Sequence, residues 1–288
     1  MALNSSKNID HGNYIPSPIV PGMKVADGEH IRKIFVLSSA DVAAGAGVAE
    51  QEALVGAVVG STGSPTVKSA TEPTSDLATE PVEVTGLSSI PSNIEVGADA
   101  SLDLTVIVLP GVSARIPLTI DLTGAHSEVR LSGIYLCSGH DDVTFDITMH
   151  HRTGDCRSWQ TFNGLASGEA KCGFFGKIVI APDAQRTEAF QENHNILLSD
   201  TAKVNTKPRL EIYADDVKCS HGATVGKLNE DEQFYMRSRG IPEEEAKVLQ
   251  MISFVAPVLE TLPEEATEGD LSRSAVAGLV ESAIRSFA

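Results

Sequence analysis

Cys219 and His221 stand two residues apart in the run Val217-Lys218-Cys219-Ser220-His221. A thiolate and an imidazole are both transition-metal ligands. Alternation along a strand puts positions i and i+2 on one face, so the two side chains can converge on one ion. The competing reading makes Cys219 a small buried hydrophobe and His221 a turn hydrogen-bonder. His150-His151-Arg152 offers a second metal or acid/base candidate, but adjacent strand residues point to opposite faces and cannot easily share an ion. Asp141, Asp142 and Asp146, or Asp215-Asp216, could supply the paired carboxylates of a carbohydrate-active enzyme, although paired acids between strands are more often turn formers. The four cysteines, Cys137, Cys156, Cys172 and Cys219, include no C-x-x-C. That excludes a zinc ribbon and reads as free thiols in a reducing compartment. No G-x-x-x-x-G-K-[ST], G-x-S-x-G or H-E-x-x-H occurs, so no ATP is expected to bind this chain and enzyme chemistry has little to stand on.

The elements that must position these residues fall into three zones. Residues 1–91 end in a Ser/Thr/Pro/Gly-rich stretch, Gly60 to Asn93, that reads as a linker, preceded by an Ala/Gly/Val stretch from Ser39 to Val59 of unassigned fold. Residues 92–227 are a succession of short β-branched runs such as Leu104-Thr105-Val106-Ile107-Val108-Leu109 and Lys177-Ile178-Val179-Ile180, separated by Gly, Asp, Asn and Ser. Hairpin punctuation is scarce: Asn163-Gly164 joins no two of these runs. Sliding Gly133-Ile134-Tyr135-Leu136 onto Gly176-Lys177-Ile178-Val179, a shift of roughly 43 residues, suggests a stacked solenoid. Parallel strands are therefore expected, with the pairs Ile134/Leu136 and Ile178/Ile180 each facing the core.

Residues 228–288 switch to helical period. Asn229 with Glu232 forms a capping box, the helix stops at Gly240, and Pro242 opens a second helix. That second helix carries Leu249, Ile252, Ala256 and Leu259 at helical spacing, with Pro257 expected to kink or shorten it. A third helix, capped by Asp270, carries Val276, Val280, Ala283, Ile284 and Phe287 on one stripe. The fold expected is mainly β, a parallel β-helix followed by a small α-helical subdomain.

Over 288 residues the chain carries 22 basic and 39 acidic side chains, a formal charge of −17, with 42% hydrophobic content. That length and content can bury one sizeable core. The charge repels phosphate backbones and anionic lipid, so nucleic acid and membrane are not expected partners. Lys7 and Lys24 are the only Lys or Arg residues from Met1 to His30, and no apolar run there suits a signal peptide, so a cytoplasmic location is expected.

The stretch Pro208-Arg209-Leu210-Glu211-Ile212-Tyr213-Ala214-Asp215-Asp216-Val217-Lys218-Cys219-Ser220-His221-Gly222-Ala223-Thr224-Val225-Gly226, continued by Phe234-Tyr235-Met236-Arg237-Ser238-Arg239-Gly240-Ile241, closely resembles the C-terminal signature of the SufB/SufD family. Gln191-Glu192-Asn193, Asn195-Ile196-Leu197-Leu198-Ser199 and Phe175-Gly176-Lys177-Ile178 resemble it too. The resemblance spans about Gly124 to Leu259. Ala202 and Gly222 stand where SufB carries a cysteine and a glutamate, which points to the SufD side. No N-terminal helical domain of the usual SufD kind is recognisable.

The resemblance implies a right-handed parallel β-helix and a non-catalytic role in iron–sulfur cluster assembly. It implies pairing through the β-helix with a SufB-like paralogue or a second copy, and a SufC-type ATPase docked on the C-terminal helices, where Phe234, Tyr235, Arg237 and Arg239 are the expected contacts. Cys219 and His221 would be interface ligands for iron or a transient iron–sulfur cluster. Two ligands hold iron weakly, so the partner chain must complete the site. The alternatives are a β-helical carbohydrate-active enzyme and a plain metal-binding interaction module.

Overall fold

Alternating apolar and polar residues make half-buried strands, and here the strands do not fold back on one another. The computed structural model describes residues 22–39, 90–264 and 272–288. One sheet contains β1 (Met23–Val25), β3 (Asn93–Val96), β5 (Ala114–Leu122), β7 (Asp142–His151) and β9 (Lys171–Ile180), with β11 (Lys203–Thr206) and β12 (Arg209–Ile212) both laid on β9. The other contains β2 (His30–Leu37), β4 (Ser101–Val108), β6 (Glu128–Cys137), β8 (Arg157–Ala166), β10 (Thr187–Leu197) and β13 (Val217–Gly226). The chain passes from one sheet to the other along the solenoid. Every pairing among the described residues is parallel, giving a flattened β-solenoid of about five turns.

From β3 onward, residues stacked on neighbouring coils are 26 to 32 positions apart, as in Arg130 over Asp103 and Gln191 over Gln160. The repeat of roughly 43 residues expected from sequence is therefore corrected. Gly133 pairs with Phe162 in the second sheet, whereas Gly176 pairs with Ile147 in the first. That shift is one and a half coils. It superposes strands of opposite sheets because both sheets share the same inward alternation.

Two corners recur along the solenoid. Before the strands of the second sheet the chain turns through the left-handed region at Gly28, Asp99, His126, Asp155 and Arg186, with φ between 53° and 72°. The N–H groups of Gly28, Asp99, Asp155 and Arg186 each bond a carbonyl of the adjacent coil at 2.6–2.9 Å. At the opposite corner Gly111, Gly139 and Gly168 occupy the same region. A Cβ on Gly168 would come within 2.9 Å of the Gly139 nitrogen, so space as well as φ demands glycine there.

The interior is aliphatic in the early coils and then aromatic. Tyr135, Phe145, Phe162 and Phe174 stack through the middle with ring centroids 5.6, 5.1 and 4.9 Å apart. Ile178 and Ile180 belong to this interior. Ile134 and Leu136 are equally buried, but on the outer face of the second sheet, where they join Val36, Ile107 and Leu165 in a separate apolar seam. The helices cover that seam.

Asn229 caps α1 (Glu230–Ser238) by accepting from the Asp231 and Glu232 N–H groups. Pro242 is the capping residue ahead of α2 (Glu243–Leu259) rather than its first turn, and Pro257 sits in the last turn without ending the helix early. The buried stripe of α2 is Ala246, Val248, Met251, Val255, Val258 and Leu259. The expected stripe is thus rotated by about one position: Leu249 is exposed, and Ile252 and Ala256 are only partly covered. Asp270 lies outside the described residues, and Ser272 caps α3 (Arg273–Arg285), which buries Val276, Val280 and Ile284 as its periodicity requires. Residues 40–89, which hold most of the Ala/Gly/Val stretch and of the expected linker, also lie outside the described residues. Met23–Val25 and His30–Leu37, ahead of that stretch, already belong to the solenoid.

Candidate functional site

The last coil differs from the middle ones in having, among the described residues, no coil above it. β13 pairs with β10 on one side, and among the described residues nothing pairs with its other edge. Its inward-facing residues lie over those of β10: Cys219 beside Ala189, His221 beside Gln191, Ala223 beside Asn193 and Val225 beside Asn195. The lower member of each pair is at most 2% exposed, whereas Cys219 is half-buried, His221 and Ala223 are exposed and Val225 is 46% exposed. Across the mouth, Ile212 and Tyr213 are also exposed. An edge with free N–H and C=O groups and a bare apolar rim is a template for a further chain.

Cys219 and His221 share the inward face of β13 and lie at this mouth, as strand alternation requires. Burial raises the Cys219 thiol above the usual cysteine value, and the Ala189 backbone offsets this only in part. The sulfur is therefore protonated at rest, and a cation would have to displace the proton to bind. Among the described residues no group of three or more His, Cys, Asp or Glu side chains could hold a metal ion. The described residues thus offer a pair of donors here and no closed site. Ala202 is buried, and Gly222 has open space where a side chain would stand.

The other sequence candidates are engaged elsewhere. His151 points inward, its Nε2 2.9 Å from the Ser158 hydroxyl, and burial lowers its pKa to about 4. His150 lies on the outer face of its sheet, its pKa lowered first by burial and then by Arg152. The Asp141 carboxylate accepts from the Ser138 and Gly111 N–H groups and shapes a turn. Asp146 pairs with Arg115, while Asp142, Asp215 and Asp216 are exposed around turns.

The expected dock residues lie together on and just after α1, which buries none of its side chains. Phe234 and Tyr235 are 72% and 59% exposed. Arg237 pairs with Glu243 at 3.5 Å, and the Arg239 guanidinium lies 5.2 Å from the Tyr235 ring centroid. An open cleft of about 800 Å³ runs between α1 and α2 past Leu198 and Phe287.

Sequence reasoning missed the polar floor beneath β13. Tyr135, Asn193 and Asn195 form a closed hydrogen-bonded group, with Asn193 Nδ2 donating to Tyr135 Oη at 2.9 Å and Asn195 Nδ2 to Asn193 Oδ1 at 2.8 Å, and Tyr135 donating to Asn195. Gln191 Nε2 donates to Gln160 Oε1 at 2.9 Å. The available signal was the alternation Gln191, Asn193, Asn195, which has the period of a strand but not the hydrophobicity of a core.

The sequence model of "SUF system FeS cluster assembly, SufBD core domain" matches residues 79–254. The chain is 35% identical over 167 residues to the iron–sulfur cluster assembly protein SufD of Escherichia coli, an alignment covering 58% of this chain and 40% of that protein. It is 45% identical over 130 residues to the SufBD family protein slr0076 of Synechocystis (45% and 28% of the two chains), and 33% identical over 186 residues to the chloroplastic protein ABCI7 of Arabidopsis thaliana (64% and 38%). A parallel solenoid with C-terminal helices that carries this match over more than half its length belongs to the SufB/SufD family. The chain spans less than half the length of these curated relatives. No described helix is long and apolar enough to cross a membrane.

Proposed function

We propose that this chain is a non-catalytic, SufD-type subunit of an iron–sulfur cluster assembly scaffold, working in the cytoplasm. It pairs through the open edge of β13 with a SufB-like chain or a second copy of itself, and a SufC-type ATPase docks on α1 and the start of α2. The observation that carries this reading is the uncapped terminal coil with Cys219 and His221 at its mouth. An incomplete donor pair beside an unpaired edge suits a site finished by a second chain, with iron or the nascent cluster as cargo. The exposed Phe234, Tyr235 and Arg239 group gives the ATPase an aromatic and cationic contact of the kind that dominates protein interfaces. ATP turnover belongs to that partner, since this sequence has no phosphate-cradling loop.

The test is complementation of a strain lacking the native gene. Cys219→Ala or His221→Ala should impair cluster formation and leave ATPase capture intact, whereas Phe234→Ala with Tyr235→Ala should weaken ATPase capture. Full activity of the Cys219→Ala, His221→Ala double variant would overturn the site.

A further inference from the structure

The side chain directly beneath His221 is a glutamine with one end left over. Gln191 is fully buried and commits its Nε2 to Gln160 Oε1 at 2.9 Å. Its amide lies against Gly176, where a Cβ would come within 2.3 Å of Nε2, so the opposite strand holds it in place by lacking a side chain. Among the described residues Gln191 Oε1 is buried without a hydrogen-bond partner, as is Gln160 Nε2 on the coil below. An orphan acceptor of this kind is costly and is rare in folded proteins unless something uses it. Register puts His221 next on the same face, one strand spacing of about 4.8 Å away. The His221 side chain is exposed at the mouth and makes no side-chain hydrogen bond or ion pair among the described residues.

We infer that Gln191 is a positioning residue for His221: its buried Oε1 accepts a hydrogen bond from one ring N–H, fixing a single tautomer whose other nitrogen presents its lone pair at the mouth. Metal-binding histidines are commonly oriented in this way through the nitrogen that does not ligate. The inference rests on the reading of His221 as an interface ligand, but it concerns the metal-free chain and can be tested there.

The experiment labels the full chain with ¹⁵N-histidine and reads the ring-nitrogen shifts at a pH about two units above the ordinary histidine value, where imidazole is neutral. His221→Gln identifies the resonance among the eight histidines. The wild-type ring should show one dominant tautomer. Gln191→Leu, checked for an unchanged fold by circular dichroism, should relax it to the mixture of a free imidazole. Gln191→Glu keeps an acceptor toward His221, its other oxygen accepting from the otherwise unpaired Gln160 Nε2 once that amide turns over, and should restore the wild-type tautomer, with an unchanged fold checked in the same way. A free-imidazole mixture in the wild type would overturn the inference without any variant being needed, as would an unchanged tautomer in Gln191→Leu or a failure of Gln191→Glu to rescue. None of these outcomes depends on cluster assembly in cells. A failure of the proposed function would instead appear in the complementation of Cys219 and His221 variants while the tautomer measurement stood.

Discussion

The middle coils and the terminal coil are built by the same strand alternation, yet their inward faces do opposite work. In the middle, Phe145, Phe162 and Phe174 fill the space between two sheets whose strands are there paired on both edges. At the end, the same inward positions hold Cys219, His221, Ala223 and Val225, and water or a partner takes the place of the next coil. A solenoid stabilises each coil through its neighbours, so its interior carries the stability and its last coil is available for recognition.

The sharpest way to break this contrast is to remove mass from the interior. Phe162→Ala should cost about 3–5 kcal/mol in a denaturant titration, because the vacated ring space is walled by Phe145 and Phe174 and cannot collapse. A midpoint close to that of the wild type would show the interior to be loosely packed.

The second largest effect is on the pH dependence of stability. His151 is buried neutral with its pKa lowered to about 4, below the unfolded value near 6.5. The unfolded chain therefore binds the extra proton between those two values, and this contribution is complete above the unfolded pKa and lost as pH falls through the folded one. The difference is on the order of 3 kcal/mol. Urea midpoints at about pH 7 and pH 5 should separate in the wild type and draw together in His151→Leu. Parallel pH slopes in the two proteins would show that the imidazole is not held neutral.

A smaller effect belongs to the corners. His126→Gly relieves a left-handed residue at φ 58° but adds conformational freedom to the unfolded chain, so a net change within about 1 kcal/mol, on the stabilising side, is expected in thermal melts. A clear loss of stability would show that the His126 side chain holds the corner.

At the open end the prediction for the isolated chain is of almost no change. Val225→Lys should alter its stability by less than about 0.5 kcal/mol, since the side chain is 46% exposed and lacks a coil above it. The same variant should weaken pairing with a second chain, read by light scattering of the mixture. A large stability loss would mean that the edge supports the fold itself.

The parallel solenoid was legible because β-branched runs without hairpin turns leave few alternatives. The coil length was not: inward alternation is common to both sheets, and matching Gly133 to Gly176 mistook one and a half coils for a repeat. The face of Ile134 and Leu136 was equally hidden. A strand buried inside by Tyr135 and outside by α2 has no polar face to mark direction. Cys219 and His221 stand out as candidates from spacing and family resemblance, whereas Gln191 beneath His221 does not, since a buried amide announces itself only when the residues stacked on it are known.

The helices meet the solenoid at a place that has mechanical meaning. α2 packs on β8 and β6, and Asn163 of β8 donates to the Phe254 carbonyl at 2.5 Å. A load applied to the helices therefore enters the solenoid one and two strands inward of β10 through α2, and also directly at β13, which only Lys227, Leu228 and Asn229 separate from α1, so the ten register pairs between β10 and β13 carry the difference between the two. Those pairs bear strain together rather than one at a time. The open coil and the coils beneath it are thus held by the same helical unit from two sides, through the chain that leaves β13 and through the Asn163 contact with α2.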